Sequence, residues 1–266
     1  MTPLVVAHRG ASAEFAEHTV AAYEKAIAVG ADALECDVRL TADGELVCVH
    51  DARIDRVSNG TLAVDSSTLA ELQQWDFVSW KSGAEPAPRG EVEARDSVLT
   101  LDTLLELATS AGRPVGLSIE TKHPTRQSLR LEAALTLTLK RFGLLPAGKA
   151  PADPQAPGAV RMMSFSMAAL QRMRALAPSV PTVFLTSDIP DRYRHGALPH
   201  GAAVAGPWLE LVRRDPRYVE RLHDRGHRAH VWTVDEVADV RLCRESGVDA
   251  IITNRPAVVL KELGRI

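Results

Sequence analysis

The sequence predicts a single closed (β/α)8 barrel of the TIM type, and three observations carry that reading. Short β-branched or aliphatic runs alternate with helix-length amphipathic segments along nearly the whole chain, the pattern of parallel β/α units. One pair of neighbouring runs is joined too tightly to be parallel, which leaves eight for the barrel. The 266 residues suit one large domain, 1–266, with an insertion, rather than two cores.

The first run is Leu4–Ala7. His18–Val29 follows as a helix, with Val20, Ala21, Tyr23, Ala26 and Ile27 on its apolar positions and Gly30 as its stop. Ala33–Val38 is the second run. Leu46–Val49 comes only Thr41–Glu45 later, whereas a parallel crossover needs about a dozen residues. These two runs therefore form an antiparallel hairpin, which folds His50 back towards Asp37. Residues 51–100 lack any β/α period and are rich in Ser, Asp, Pro and Gly, with Trp75, Phe77 and Trp80 as a small apolar centre. They read as an insertion capping the barrel mouth; an irregular surface excursion is the competing reading.

Periodicity then resumes. A helix over Leu101–Ala111, capped by Thr100 or Asp102 and ended by Gly112, precedes a strand at Val115–Glu120. Arg126–Phe142 is helical, and the proline-rich Leu144–Gly158 reads as an exposed loop. The remaining strands fall at Val160–Ser164, Thr182–Leu185, Ala202–Ala205, Ala229–Thr233 and Ala250–Thr253. Helices fit Met167–Ala177, Tyr218–Arg225, Val237–Ser246 and Pro256–Leu263.

Composition narrows the function classes. Hydrophobic residues at 45% and charged residues at 24% are ordinary for a soluble enzyme. A formal charge of −3 gives no reason to expect nucleic acid or anionic membrane as a partner. No segment approaches the ~18 apolar residues of a membrane span. The amino end carries neither a basic n-region nor a long apolar h-region, so no secretory signal is expected. Cys36, Cys48 and Cys243 are an odd set in apolar runs with no CxxC pair. Buried free thiols in a reducing compartment, most simply the cytoplasm, are expected.

In such barrels functional side chains sit at the carboxyl ends of strands. His8, Glu35 and Asp37, Glu120 and Lys122, Ser164 and Phe165, and Trp232 all fall there. Glu35 and Asp37 alternate with Leu34, Cys36 and Val38, so both carboxylates face inward. Three converging carboxylates repel one another unless a cation or shared proton relieves them. An all-oxygen set favours Ca²⁺ or Mg²⁺, with Mn²⁺ as a further hard cation. An isolated E-x-D is more often part of a surface ion pair; the argument rests on its combination with Glu120 and two histidines.

Arg9 can grip a phosphate through its two-pronged fork, and Gly10 lets the backbone turn beneath it. His50 stands opposite, with Asp51 placed to orient its ring. Two imidazoles can serve as base and acid in succession, although either alone is as readily structural. Lys122 would neutralise phosphate charge or simply pair with a carboxylate. Glu17 supports Arg9 or complements a helix dipole. Trp232 and Phe165 either pack an alcohol moiety at the mouth or belong to the core. His18, His123, His195, His200, His223 and His227 read as solvated, with strand-borne His230 as the exception. Together these groups suit phosphoester hydrolysis.

The same residues carry a resemblance. AHRG (7–10), AEHT (16–19), AAYEKAIAVGADALECDVRLTADGELVCVHD (21–51), IETK (119–122), MSFS (163–166), VWTVD (231–235) and GVDAIITNRP (247–256) occur in order along the chain. In these blocks the sequence resembles the glycerophosphodiester phosphodiesterase family. The resemblance implies a TIM-type barrel and metal-dependent hydrolysis of a small glycerophosphodiester to sn-glycerol 3-phosphate and an alcohol. It gives His8 and His50 the acid–base roles, Glu35, Asp37 and Glu120 the metal, and Arg9 and Lys122 the phosphate. One departure is visible: Ala16-Glu17-His18-Thr19 stands where the family usually shows PENT, which removes two turn-forming residues beside Arg9. Two other readings compete. A related phospholipase D-type barrel acting on lysophospholipids or sphingolipids needs an exposed apolar rim, and the insertion offers only Trp75, Phe77 and Trp80. A catalytically silent metal- or phosphate-binding barrel needs a missing catalytic residue, and none is missing.

Overall fold

The computed structural model describes residues 2–266; Met1, the first residue of the amino-terminal stretch read above, lies outside them. The strands are β1 (Leu4–His8), β2 (Ala33–Leu40), β3 (Leu46–Cys48), β4 (Gly116–Thr121), β5 (Val160–Ser164), β6 (Thr182–Thr186), β7 (Val204–Pro207), β8 (Arg228–Val231) and β9 (Ala250–Thr253). The helices are α1 (Val20–Ala28), α2 (Leu69–Leu72), α3 (Ser79–Ser82), α4 (Leu101–Thr109), α5 (Ser128–Arg141), α6 (Met167–Leu176), α7 (Leu209–Arg214), α8 (Arg217–His223), α9 (Val237–Glu245) and α10 (Pro256–Glu262). All strands but β3 run parallel, and β1 pairs with both β2 and β9, which closes the (β/α)8 barrel. β3 lies antiparallel on the outer end of β2, with Val38 opposite Cys48 and Leu40 opposite Leu46, so the hairpin forms as expected.

Strand alternation decides which side chains face where. Leu34, Cys36 and Val38 of β2 and Leu117 and Ile119 of β4 pack outward against Tyr23, Leu104 and Leu135 of the helices. Their neighbours must then point into the barrel, where Val6, Ala33, Met163, Val183, Val204 and Ile252 form its dry floor. A fully buried aliphatic side chain contributes about 1.5–3 kcal/mol, so a one-residue slip of β2 would be costly. Thr19, Thr100 and Ser166 cap α1, α4 and α6 by accepting from Ala22, Thr103 and Ala169 N–H groups.

Three of the differences from expectation have a visible cause. β7 starts at Val204 rather than Ala202, because a tight turn at Pro199–Gly201 holds the Ala202 amide on the Pro199 carbonyl. β8 stops at Val231; the Trp232 carbonyl instead accepts from the Leu209 amide at 2.7 Å. The 144–158 segment is more than an exposed loop. Its Pro154 carbonyl accepts from buried Arg161, and the Gln155 amide donates to buried His230 at 2.7 Å. Polar groups inside the amino-terminal end of the barrel need partners, and this segment supplies them.

Residues 51–100 pack Ile54, Val57, Val64, Leu72 and Phe77 onto Val47 and Val49 of the hairpin, with Trp75 against this small core. Gly60 is required there, since a Cβ would lie 2.6 Å from the Trp75 ring. All three cysteines are buried free thiols. Among the described residues, no helix is long and apolar enough to cross a membrane.

Candidate active site

The β1 end delivers His8, after which Arg9 and Gly10 both adopt left-handed backbone angles (φ 57° and 83°). Only glycine fits at position 10, where a Cβ would lie 2.7 Å from the Ala22 backbone of α1. This sharp turn aims the Arg9 amide at Glu35 Oε2, 3.0 Å away, and its guanidinium at Glu17 Oε1, also at 3.0 Å. Glu17 thus supports Arg9.

Glu35, Asp37 and Glu120 bring one carboxylate oxygen each within 4.8 Å of one another. Asp37 is the hub. Arg9 Nε lies 3.0 Å from its Oδ2 and Lys122 Nζ 2.9 Å from its Oδ1, and Lys122 also donates to Glu120 Oε1 at 2.8 Å. Burial opposes ionisation of Asp37, yet His18, Lys122 and Arg9 outweigh it and hold the carboxyl well below its usual range. Burial, reinforced by the Asp37 charge, pushes Glu35 well up and Glu120 up to about 8. Asp37 Oδ1 accepts no aligned hydrogen bond despite its full burial. A buried, all-oxygen trio whose carboxylates repel one another fits a hard divalent cation.

His18 is a correction. Expected in solvent, it is 5% exposed, donates from Nε2 to Asp37 Oδ2 at 3.0 Å, and meets the Tyr23 hydroxyl through Nδ1 at 2.8 Å. Tyr23 in turn donates to the Glu35 carbonyl. The turn that lacks proline and asparagine is therefore held by this ring and by the bond from the His18 amide to the Arg9 carbonyl.

The two histidines of interest are each oriented from behind. The Asp235 carboxylate accepts from the Asn254 backbone N–H at 2.8 Å and its Nδ2 at 2.6 Å. That turns the Asn254 oxygen towards His8, whose Nδ1 must donate to it at 2.7 Å. A neutral His8 then carries its proton on Nδ1 and leaves Nε2 bare, 3.9 Å from Glu35. Burial and the Arg9 charge lower His8 to about 4, against the pull of Asp37 and Asn254. His50 Nδ1 donates to Asp51 Oδ1 at 2.7 Å, and Arg39 grips the His50 carbonyl through Nε and Nη2. Burial lowers His50 as well, opposed by Asp37 and Asp51.

His8, Arg9, His50 and Lys122 line one cavity of about 240 Å³ with Glu35 and Glu120. Its far wall is apolar, from Met163, Leu185, Ile252, Phe165 and Trp232. Phe165 meets Trp232 edge-on at 5.5 Å, and the Trp232 N–H is satisfied by the Gly206 carbonyl at 2.7 Å. Of the site residues expected from sequence, His8, Arg9, Glu35, His50, Glu120, Lys122, Phe165 and Trp232 line this cavity, whereas Asp37 joins the acid trio without lining it and Glu17 meets Arg9. The residues missed are Asn254, Asp235, His18 and Arg39. The TNRP and VWTVD blocks contain the first two, but nothing local says that their side chains reach His8.

The family model for the glycerophosphoryl diester phosphodiesterase family matches residues 8–258, a span that holds every group just described. The chain belongs to that family. A relative named probable glycerophosphodiester phosphodiesterase 1, from Mycobacterium tuberculosis, is 44% identical over 255 residues, covering 96% of this chain and 90% of the relative. The glycerophosphodiester phosphodiesterase of Bacillus subtilis is 33% identical over 258 residues, covering 95% and 84%. Among solved structures, an Oleispira antarctica phosphodiesterase in complex with the product sn-glycerol-3-phosphate is similar with a TM-score of 0.82 and 25% identity, over 99% of this chain and 97% of that one. This glycerophosphodiester phosphodiesterase family member thus shares both sequence and barrel with its relatives along almost its full described length.

Proposed function

We propose that this chain hydrolyses water-soluble glycerophosphodiesters to sn-glycerol 3-phosphate and an alcohol, as a cytoplasmic enzyme with one catalytic domain capped by residues 51–100. The observation that carries the reading is the convergence of two back-oriented imidazoles on a cavity lined by Glu35 and Glu120, with Asp37 beside them in the same acid trio. Glu35, Asp37 and Glu120 would hold a divalent cation, Ca²⁺ or Mg²⁺ by their all-oxygen chemistry, with Mn²⁺ also compatible. Bound there, the cation supplies Lewis-acid stabilisation of charge developing on the phosphoryl oxygens.

The chain's own groups divide the remaining work. Arg9, steered by Glu17, and Lys122 present cationic donors to the non-bridging oxygens. His8, with its proton held at Nδ1, uses Nε2 to take a proton from the glycerol hydroxyl or from water. His50, backed by Asp51, delivers a proton to the departing alcohol oxygen as its bond to phosphorus breaks. If the neighbouring glycerol hydroxyl attacks, a cyclic phosphate forms; water then opens it, with His50 as base and His8 as acid. Phe165 and Trp232 give the glycerol carbons an apolar wall.

A second reading draws on exposed aromatic and thioether groups just past the carboxyl ends of β5 and β7. Phe165 is 45% exposed, Trp208 42% and Met167 36%, an apolar edge that the insertion's aromatics did not foretell. Such an edge suits a monoacyl glycerophosphodiester, the lysophospholipid substrate of a phospholipase D-type reaction. One panel separates the two: glycerophosphocholine, glycerophosphoethanolamine, glycerophosphoglycerol, glycerophosphoinositol and lysophosphatidylcholine, with assay of glycerol 3-phosphate and free alcohol. The first reading expects glycerol 3-phosphate from the soluble diesters. Turnover of the lysolipid alone would replace it with the second, and turnover of none would end both.

A further inference from the structure

The insertion sends one charged side chain back to the site that no motif and no chemical step above uses. Arg56 sits between Ile54 and Val57, both buried in the insertion core, so its backbone is fixed on either side. Its guanidinium spends its donors in two directions. Nε donates to Asp51 Oδ2 at 2.6 Å, while Nη1 and Nη2 donate to Glu17 Oε2 and Oε1 at 2.8 and 2.7 Å. Each carboxylate is also bound to a group lining the cavity. Asp51 Oδ1 accepts from His50 at 2.7 Å, and Glu17 Oε1 accepts from Arg9 at 3.0 Å.

We propose that Arg56 is a positioning residue, a clasp that fixes His50 and Arg9 in one frame by way of Asp51 and Glu17. The proposal rests on the functional reading above and adds to it the means by which the insertion takes part. Arg56 does not line the catalytic cavity and touches neither the acid trio nor either imidazole directly. Its side chain is 45% exposed, and an isolated ion pair so placed would contribute little. Two features set it apart. The contact to Glu17 is a two-pronged fork, whose geometry restricts both partners. The run His50–Asp51–Arg56–Glu17–Arg9 is also unbroken, so a shift of the insertion moves an acid–base group and a phosphate donor together. A loss of alignment of that kind lowers turnover more than substrate affinity.

The test compares Arg56→Ala, Arg56→Lys, Asp51→Asn and the Arg56→Ala/Asp51→Asn pair in the intact chain. Arg56→Ala is expected to lower kcat by about 10- to 100-fold, the range for groups behind a site, with KM changed less than about threefold. Arg56→Lys should recover little, because an ammonium cannot span both carboxylates. Guanidinium ion at millimolar concentration should restore part of the Arg56→Ala rate through the partly open site and leave Arg56→Lys unchanged. The double variant should be no slower than the worse single one. A melting scan and ¹⁵N-histidine spectra give readings that do not require turnover. The His50 ring signals should move in Arg56→Ala, by more than the His8 signals, while the chain still melts cooperatively. Normal kcat in Arg56→Ala, additive losses in the double variant, or an unmoved His50 would overturn the clasp. Lack of turnover by the parent chain would instead remove the functional reading, with His50 spectra still deciding the clasp.

Discussion

His8 and His50 have the same construction: a ring nitrogen tied to an oxygen acceptor behind, and the other aimed at the cavity. Replacing either by Ala is expected to cut turnover by about 10²- to 10⁴-fold, the usual contribution of a general acid or base. Near-normal rates in both variants would take them out of the reaction. The Asn254 oxygen fixes which His8 nitrogen bears the proton, so Asn254→Leu should lower kcat and alter its pH profile. A hydrophobic side chain there leaves the ring free to choose the unproductive tautomer. Asp235→Asn should act in the same direction by freeing the Asn254 amide to rotate, and no effect from either would detach that pair from catalysis.

Among the elements, the β1–α1 turn and the insertion show how backbone form serves the site. Gly10→Ala would place a methyl group 2.7 Å from the α1 backbone at a left-handed angle. Overpacking of this kind costs about 1–3 kcal/mol, so a lowered urea midpoint and reduced activity are expected together. Glu17 joins that turn to the insertion, and burial opposes its ionisation. The Arg56 and Arg9 contacts nonetheless bring it from an ordinary 4.5 down to about 2. A carboxyl depressed on folding contributes stability above its unfolded value and loses it as pH falls through its folded value. The stability advantage of the parent chain over Glu17→Gln should therefore be full above about pH 4.5 and shrink towards pH 2. Urea unfolding at successive pH values measures it, and a gap that stays constant across that window would contradict the assignment.

At the scale of the molecule, the barrel was legible because its signal is periodic and local. Apolar alternation set the inward face of β2, and the short Thr41–Glu45 link forced the hairpin that returns His50. Strand ends then pointed to the acid trio. What stayed hidden depends on closure. Asn254 meets His8 from 246 positions away because β9 pairs with β1, and Arg56 reaches Glu17 from 39 positions away once Ile54 and Val57 on either side of it are buried. His18 was hidden for a different reason. A histidine in a polar stretch gives no sign of burial until Asp37 and Tyr23 are found on either side of it. Likewise the prolines of 144–158 announced a loop but not that buried Arg161 and His230 needed its carbonyl and amide.

Glu35, Asp37 and Glu120 are proposed to act as one cation site serving hydrolysis in the cavity beside them. The direct measurement is glycerol 3-phosphate release by chelator-stripped protein, with Mg²⁺, Ca²⁺ and Mn²⁺ returned one at a time, beside an Asp37→Asn variant treated identically. Stripped protein should release little and recover with at least one of these cations, and the variant should show no recovery at matched concentration. Full activity after stripping, or equal recovery in Asp37→Asn, would contradict that assignment.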